Sequence, residues 1–147
     1  MYYEISLPVI EDLEGYQDVV YLTPETQKSH RDVLEVMAKY FRREFKYDGL
    51  QYDSVEHDKD CVGILFCEMA MDLVKDMDHY PNRVIGGACF WKTSEGGYFL
   101  DWVWFHPFAR NRRNLKKAWP SFKKKFGNFT LTKPLSAHME KFLEKHA

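Results

Sequence analysis

YFLDWVWFHPFARNRRNL, residues Tyr98 to Leu115, is the stretch of sequence that decides the fold. Its first part, Phe99 to Phe105, is apolar and aromatic except for Asp101, and it is too short for a comfortable helix. We therefore expect a strand that is buried on both faces. Pro107 ends this strand, and a helical pattern starts at about Leu115.

The turn between this strand and the following helix is basic. A strand-to-helix turn aims backbone N–H groups and the positive end of the helix dipole at one place, where an anion can bind. Arginine side chains strengthen that field. We predict that a phosphate-bearing ligand binds at the carboxyl end of the strand, as is usual in open α/β sheets, with a solvated basic loop as the alternative. The arginines are Arg110, Arg112 and Arg113.

The composition favours one globular domain spanning residues 1–147. Of its 147 residues 45% are hydrophobic and 16% aromatic, which is enough for a sizeable core and argues against disorder. With 21 basic and 22 acidic side chains the formal net charge is −1, so the chain as a whole does not attract nucleic acid or a membrane surface. Acidic residues crowd the segment from Asp53 to Asp78, whereas Arg110 to Lys125 is basic and can attract anions.

The three cysteines, Cys61, Cys67 and Cys89, are an odd number, and the chain starts without a basic and then apolar leader. This favours a reducing cytoplasm with buried free thiols. No apolar stretch approaches membrane-spanning length. Neither C-x-x-C nor H-E-x-x-H occurs, so we expect no metal site.

The first half of the chain reads as short strands, a helix and a third strand. We expect one or two strands within residues 1–22, because β-branched and aromatic residues alternate there with polar ones. Thr23-Pro24-Glu25 is typical of a helix start, and Asp48-Gly49 is expected to close that helix. Residues 50–60 are polar and predict a loop, whereas Cys61 to Cys67 favours a strand.

The second half predicts a hairpin followed by helices. Val84 to Trp91 should pair with the central strand through a tight turn at Ser94 to Gly97, and Gly86-Gly87 suggests a bulge or the close approach of a ligand. Pro120 should kink or restart the helix after the basic turn, and Gly127 should cap it. Phe129, Leu131 and Pro134 suggest a short strand, and Ser136 should cap a last helix. Together these elements predict an α/β (α+β) fold, with a mixed, mostly antiparallel sheet flanked by helices on both faces.

This order of elements resembles the GNAT superfamily of N-acetyltransferases. VIGGACFW looks like the family's third strand, and LSAHMEKFLEKH is similar to its closing helix. FHPFARNRRNLKKAW resembles the end of the fourth strand with the acetyl-CoA pyrophosphate loop and its helix. Phe105, His106, Pro107 and Arg110 fall into register with the family's pattern. The likeness covers roughly the C-terminal half of the chain.

The resemblance implies an acyl-CoA-dependent N-acyltransferase that transfers an acetyl group from acetyl-CoA directly to an amine of a small molecule or a protein. Asp101, the one charge within the apolar strand, is the candidate base, and Tyr98 is a weaker acid or base candidate. The alternative for Asp101 is a place at the open sheet edge or a pair with an arginine. The candidate CoA-binding residues are Phe105, Arg110, Asn111, Arg112, Arg113, Asn114, Leu115 and Ser136.

Four positions depart from the family's pattern. Arg113 and Leu115 stand where the family has two loop glycines, Ser136 replaces the usual asparagine, and Leu143 stands where a tyrosine frequently acts as the acid. The alternative hypothesis is therefore a catalytically inactive binding protein of the same fold, which uses the basic turn for a partner or a nucleic acid. The sequence identifies neither the acceptor nor the oligomeric state.

Overall fold

The computed structural model describes residues 8–10, 18–46, 48–69, 82–110, 114–131 and 141–144. Within them, six strands form one sheet in the order β2-β3-β4-β5-β6, with β1 also paired to β4. All pairs are antiparallel except β5 with β6. The elements are β1 (Val9–Ile10), β2 (Val19–Leu22), α1 (Lys28–Phe45), β3 (Cys61–Met69), β4 (Asn82–Lys92), β5 (Tyr98–Phe105), α2 (Asn114–Phe126) and β6 (Thr130–Leu131).

Each face of the sheet carries its own hydrophobic core. On one face α1 buries Leu34 and Met37 against the sheet together with Trp102 and Trp104. On the other face α2 buries Trp119, Phe122 and Phe126 against a different set of sheet side chains. The predicted mixed, mostly antiparallel sheet with helices on both faces is thus confirmed. None of the described helices is long and apolar enough to cross a membrane.

The central strand contains a β-bulge at Asp101. Phe90 of β4 lies opposite Leu100, and the preceding Cys89 lies opposite Trp102, so Asp101 is the extra residue. The bulge changes which residues face which core: Leu100 packs on the α2 side and Trp102 on the α1 side. The single charge of this apolar strand therefore stands where the ladder is interrupted and its side chain is partly exposed.

The expected start and end of α1 were wrong by a few residues. Thr23 and Thr26 close a turn through a 3.0 Å hydrogen bond from the Thr26 N–H to the Thr23 carbonyl. Pro24 occupies this turn, where its fixed φ is equally suitable, and the helix starts at Lys28. It ends at Phe45, because Lys46 adopts a left-handed conformation (φ 58°) and closes the last turn. The expected closing pair Asp48-Gly49 lies beyond this end.

Helix α2 runs without interruption through Pro120, so the helix does not restart there. The alternative expectation, a kink at Pro120, stays a prediction. The proline removes one backbone hydrogen bond to the carbonyl of Lys116. Both residues are exposed, so water can satisfy that carbonyl. Gly127 caps the helix as predicted, with φ 67° and a 2.9 Å hydrogen bond from its N–H to the Lys123 carbonyl.

The glycine pair in β4 serves close packing. A Cβ on Gly87 would lie 2.8 Å from Leu34 and 2.9 Å from Met37, so this glycine lets α1 approach the sheet. A Cβ on Gly86 would lie 2.4 Å from the carbonyl oxygen of Trp104 in β5. Gly86 also borders an irregularity in the pairing of β3 with β4, as expected for a bulge.

We expect Gly86→Ala to lower the free energy of unfolding by about 1–3 kcal/mol, because the new methyl group meets the Trp104 backbone, which cannot rotate away. Denaturant unfolding measures the effect. Gly49→Ala is the matched control, since a Cβ there has no neighbour within 4 Å. Equal effects of the two substitutions would contradict this explanation of the β4–β5 contact.

Candidate functional site

In the part of the chain that the structure describes, β6 pairs with the start of β5. Phe99 lies opposite Thr130 and Leu100 opposite Leu131, and the described part of β6 ends there. On this edge, none of the strands in the described residues lies beside Trp102 to Phe105. The edge begins at the Asp101 bulge and leads to the turn before α2. An extended molecule could therefore run along β5 from the bulge toward α2.

The backbone groups of Val103 and Phe105 face this edge. The carbonyl of Trp104 is directed at Gly86 of β4, and the N–H of His106 donates to the Ile85 carbonyl of β4 at 2.8 Å. Backbone groups of successive strand residues point alternately to the two edges. Three backbone groups are thus directed away from β4: the N–H and carbonyl of Val103 and the N–H of Phe105. Their spacing along the strand is that of successive outward-facing peptide groups.

The start of α2 lies at the same end of β5. A turn of 3₁₀ helix (Pro107–Ala109) leads out of the strand, and the side chain of Asn114, the first residue of α2, donates to the Ala109 carbonyl at 3.1 Å. Leu115 is partly buried against the α2-side core. Asn111, Arg112, Arg113 and Ser136, which the sequence assigned to CoA binding, lie outside the described residues.

Arg110 is held by groups of the protein itself. Its Nε–H donates to the carbonyl of Phe105 at 3.0 Å, and its Nη2–H donates to Oε1 of Glu44 in α1 at 2.5 Å. The same Glu44 oxygen accepts the indole N–H of Trp104 at 2.9 Å. The guanidinium therefore links the end of β5 to α1. Glu44 offsets part of the positive charge of Arg110, which the sequence analysis predicted to bind the phosphate groups of the ligand. The assignment of Arg110 to CoA stays a prediction.

The pKa values of two ionisable side chains are shifted at this end of β5. Partial burial alone would raise the pKa of Glu44, but the hydrogen bonds from Arg110 and Trp104 outweigh it and lower the pKa. Burial and the charge of Arg110 lower the pKa of His106. His106 is therefore more strongly biased toward its neutral form than an ordinary histidine, and Glu44 stays ionised to lower pH than an ordinary glutamate.

We expect Glu44→Gln to destabilise the protein by about 1–3 kcal/mol at neutral pH, because the Arg110 guanidinium loses its carboxylate partner. Since folding lowers the pKa of Glu44, its contribution is present above the pKa of the unfolded chain and is lost as the pH falls through the folded value. The difference between wild type and Glu44→Gln should therefore shrink on acidification. Urea unfolding at neutral and acidic pH measures it, and a difference that does not change with pH would contradict the ion pair.

Asp101 and Tyr98 are the two candidate acid–base residues that the sequence predicted. The negative charge of Asp101 opposes ionisation of the thiols of Cys61 and Cys89, which are both in the α1-side core. The ring of Tyr98 packs on the α2 side, 4.9 Å from that of Phe126. The catalytic roles of both residues stay predictions.

A polar cluster at the border of the α1-side core joins His57 to Tyr52 and to the backbone of Cys61. The His57 ring donates its Nε2–H to the Cys61 carbonyl at 2.8 Å, and its Nδ1 is 2.9 Å from the hydroxyl of Tyr52. The side chains of Cys61 and Cys89 are both part of the α1-side core. All three cysteines are free and buried, as predicted.

Apart from the edge of β5, the described residues form a cleft of about 500 Å³ between α2 and the β2–β3 edge. Asn114 and Lys117 line it, but so do the carboxylates of Asp18 and Glu68. Two acidic side chains make this cleft a poor place for phosphate groups. The open edge of β5 is therefore the better candidate for an anionic ligand.

Sequence reasoning missed Glu44 and the edge-facing backbone of Val103. Glu44 lies in a run of charged residues on α1. In the sequence such a run looks like the solvent-exposed face of a helix, because the contact with β5 appears only in the folded structure. The strand register decides whether the N–H and carbonyl of Val103 point to the outer edge or to β4. A register shift of one residue would reverse that direction. No sequence signal for either residue was available.

A scan against protein-family models gives no match, and a sequence comparison with curated proteins gives none either. Solved structures of similar architecture do exist. An aminoglycoside N-acetyltransferase AAC(6′)-Iy, solved in complex with CoA, superposes with a TM-score of 0.52 at 15% identity, covering 88% of this chain and 90% of that one. A ribosomal-protein-alanine N-acetyltransferase from Brucella melitensis biovar Abortus 2308 gives a TM-score of 0.56 at 11% identity, with the same coverage. This chain has the fold of the GNAT N-acetyltransferases.

Proposed function

We propose that this protein is an acyl-CoA-dependent N-acyltransferase that binds CoA along the open edge of β5 and transfers an acetyl group to an amine. The observation that carries the proposal is the edge itself. The edge runs from Asp101, where the hydrogen-bond ladder between β4 and β5 is interrupted, to the beginning of α2. Between these two points the backbone amide groups of Val103 and Phe105 face outward.

The chemistry of CoA suits this edge. Its pantetheine arm is extended and contains two amide groups, which can hydrogen bond to a strand edge as an added strand would. The N–H and carbonyl of Val103 and the N–H of Phe105 are the corresponding protein groups. In this orientation the thioester lies near the Asp101 bulge and the pyrophosphate near α2.

The beginning of α2 supplies the anion site in this proposal. The first backbone N–H groups of a helix have no partner within the helix, and the dipole adds a partial positive charge. Arg112 and Arg113 precede α2 directly in sequence and are proposed to add charge-assisted hydrogen bonds. Arg110, already bonded to Glu44, is proposed to act mainly by fixing the end of β5 and to offer only its remaining N–H donors to a phosphate.

In the transfer itself the amine nitrogen attacks the thioester carbon, and the CoA thiolate leaves. Asp101 is the proposed base that removes a proton from the ammonium form of the acceptor, so that the free amine can attack. The second nitrogen proton leaves as the amide forms and is taken up by the CoA thiolate. The bulge provides the proposed place for the acceptor beside Asp101. The fold similarity to acetyltransferases supports this class of reaction, and the acceptor is an amine of unidentified structure.

Titration calorimetry with CoA tests the proposal. We expect saturable binding by the wild type, with affinity at least about tenfold lower for free pantetheine, which lacks the pyrophosphate, if phosphate contacts at α2 contribute as proposed. The double variant Arg112→Ala/Arg113→Ala should weaken CoA binding by a similar factor and leave pantetheine binding unchanged.

A matched control separates local from general charge effects. Lys123→Ala/Lys124→Ala removes two positive charges from the last turn of α2, far from its beginning, and should leave CoA affinity within about twofold. If the wild type does not bind CoA while salt-sensitive binding to DNA or RNA appears, the transferase proposal is refuted and the inactive binding protein is favoured.

A further inference from the structure

The carboxylate of Glu44, in the last turn of α1, contacts two side chains at the end of β5. One of its oxygens, Oε1, accepts the indole N–H of Trp104 at 2.9 Å and the Nη2–H of Arg110 at 2.5 Å. The Trp104 ring is buried and packs against the ring of Tyr40 with centroids 5.3 Å apart. The guanidinium carbon of Arg110 lies over the Trp104 ring, 5.9 Å from its centroid. These contacts give the guanidinium a fixed position beside Glu44.

Arg110 also belongs to the turn that leads into α2. Ala109, the residue before it, accepts a 3.1 Å hydrogen bond from the side chain of Asn114, the first residue of α2. Two of the five N–H donors of Arg110 are bonded to Phe105 and Glu44, and the other three have no hydrogen-bond partner among the described residues. The guanidinium is therefore close both to a protein carboxylate and to the proposed phosphate site.

We propose that Glu44 sets the affinity of the phosphate site, because its carboxylate competes with the phosphate groups of CoA for the positive charge of Arg110. In this proposal Glu44 touches no ligand and acts through Arg110. The inference rests on the proposed function, since it requires a phosphate group near the beginning of α2.

The competition follows from the charges of the two side chains. Partial burial alone would raise the pKa of Glu44, but the hydrogen bonds from Arg110 and Trp104 outweigh it and lower the pKa, so the carboxylate is ionised at neutral pH. A carboxylate in hydrogen-bond contact with a guanidinium offsets most of the attraction that the guanidinium exerts on a nearby anion, and it also repels that anion directly. Arg110 therefore contributes less to phosphate binding than its formal charge suggests.

A weakened phosphate site has a use in a transferase. Free CoA is the product that must leave after each transfer, and product release limits the turnover of many enzymes. Charge-assisted hydrogen bonds to phosphate are strong, and differences in affinity at one site arise mostly from the dissociation rate. By offsetting the charge of Arg110, Glu44 shortens the time that CoA stays bound and still leaves the arginine in place to fix the end of β5.

Titration calorimetry with Glu44→Gln tests the proposal. The glutamine oxygen can still accept the indole N–H of Trp104, but the negative charge is gone. We expect the variant to bind CoA about three- to tenfold more tightly than the wild type, and to bind free pantetheine, which has no phosphate group, within about twofold of the wild type. The variant should thus gain phosphate affinity while it loses stability, a combination that a purely structural role of Glu44 does not produce.

Two further variants separate the charge of Glu44 from its shape and from the net charge of the protein. Glu44→Asp keeps a carboxylate at the end of α1, so its CoA affinity should stay within about twofold of the wild type. Glu56→Gln removes the same charge from an exposed loop and should also stay within about twofold.

An NMR titration of the wild type tests the same proposal without any change at Glu44. When a phosphate group draws charge from Arg110, the Glu44 oxygen becomes a stronger acceptor for the Trp104 indole N–H. The indole proton of Trp104 should therefore move downfield with CoA and stay in place with pantetheine. Trp104→Phe identifies this resonance among those of the four tryptophans.

The outcomes separate this inference from the proposed function. If the wild type binds CoA but Glu44→Gln binds it no more tightly, or if bound CoA leaves the indole proton of Trp104 in place, the inference is overturned and the proposed function stands. A wild type that does not bind CoA refutes the proposed function and this inference with it. The NMR titration decides the question even if Glu44→Gln fails to fold.

Discussion

Replacing Asp101 by asparagine is expected to lower kcat for acetyl transfer by about 100-fold or more and to leave CoA affinity unchanged. Asparagine keeps the shape of the side chain but cannot accept the ammonium proton. The remaining rate should rise with pH in proportion to the deprotonated amine, because the substrate must then lose its proton to water. Release of free CoA from acetyl-CoA, with the amine that gives the fastest turnover, measures both effects.

Asp48→Asn is the matched control for this substitution. Asp48 is an exposed loop carboxylate, so its replacement changes the net charge by the same amount without touching β5. We expect its kcat within about twofold of the wild type. An Asp101→Asn protein with wild-type kcat and an unchanged pH profile would remove Asp101 from the mechanism and leave it as the residue of the bulge.

Replacing Phe90 by alanine is expected to lower the free energy of unfolding by about 3–5 kcal/mol. Phe90 is fully buried at the centre of the α2-side core. Its ring stacks on Phe126 with centroids 4.0 Å apart and meets the edges of Phe122 and Phe129 at 5.1 and 4.9 Å. The cavity left by alanine would lie beneath α2, so anion binding at the start of that helix, if it occurs as proposed, should weaken as well.

Phe45→Ala is the comparison for Phe90→Ala. Phe45 ends α1 with 45% of its surface exposed and contacts Phe41 at 5.1 Å between centroids. Its removal should cost about 1 kcal/mol or less. Denaturant unfolding of both variants gives the difference, and similar losses would contradict the central role of Phe90 in holding α2.

Local sequence signals identified much of the architecture correctly. The apolar run after Tyr98, the turn at Gly96 with φ 89° and the cap at Gly127 each depend on a few neighbouring residues, and the structure confirms all three. The start of α1 was misplaced because Thr23-Pro24 satisfies the requirements of a turn as well as those of a helix. Proline and hydroxyl residues alone do not separate the two.

The candidate site depends on relations between distant residues, which no local signal contains. Glu44 and Arg110 meet only because α1 crosses the end of β5. Asp101 stands out in sequence as a lone charge, but its place at a bulge follows from the register of β4 against β5. The diagonal placement of Cys61 and Cys89 on adjacent strands likewise follows from the register of β3 against β4. The sequence identified several of these residues as unusual but did not show which residues they contact.

The central claim is that CoA lies along the outer edge of β5, and amide hydrogen exchange resolved by residue tests it most directly. Saturating CoA should slow exchange at the amides of Val103 and Phe105 by more than it slows exchange at Trp104, whose backbone is directed at β4 in either state. The account is contradicted if CoA binds and leaves the Val103 and Phe105 amides exchanging as before, or slows all three equally.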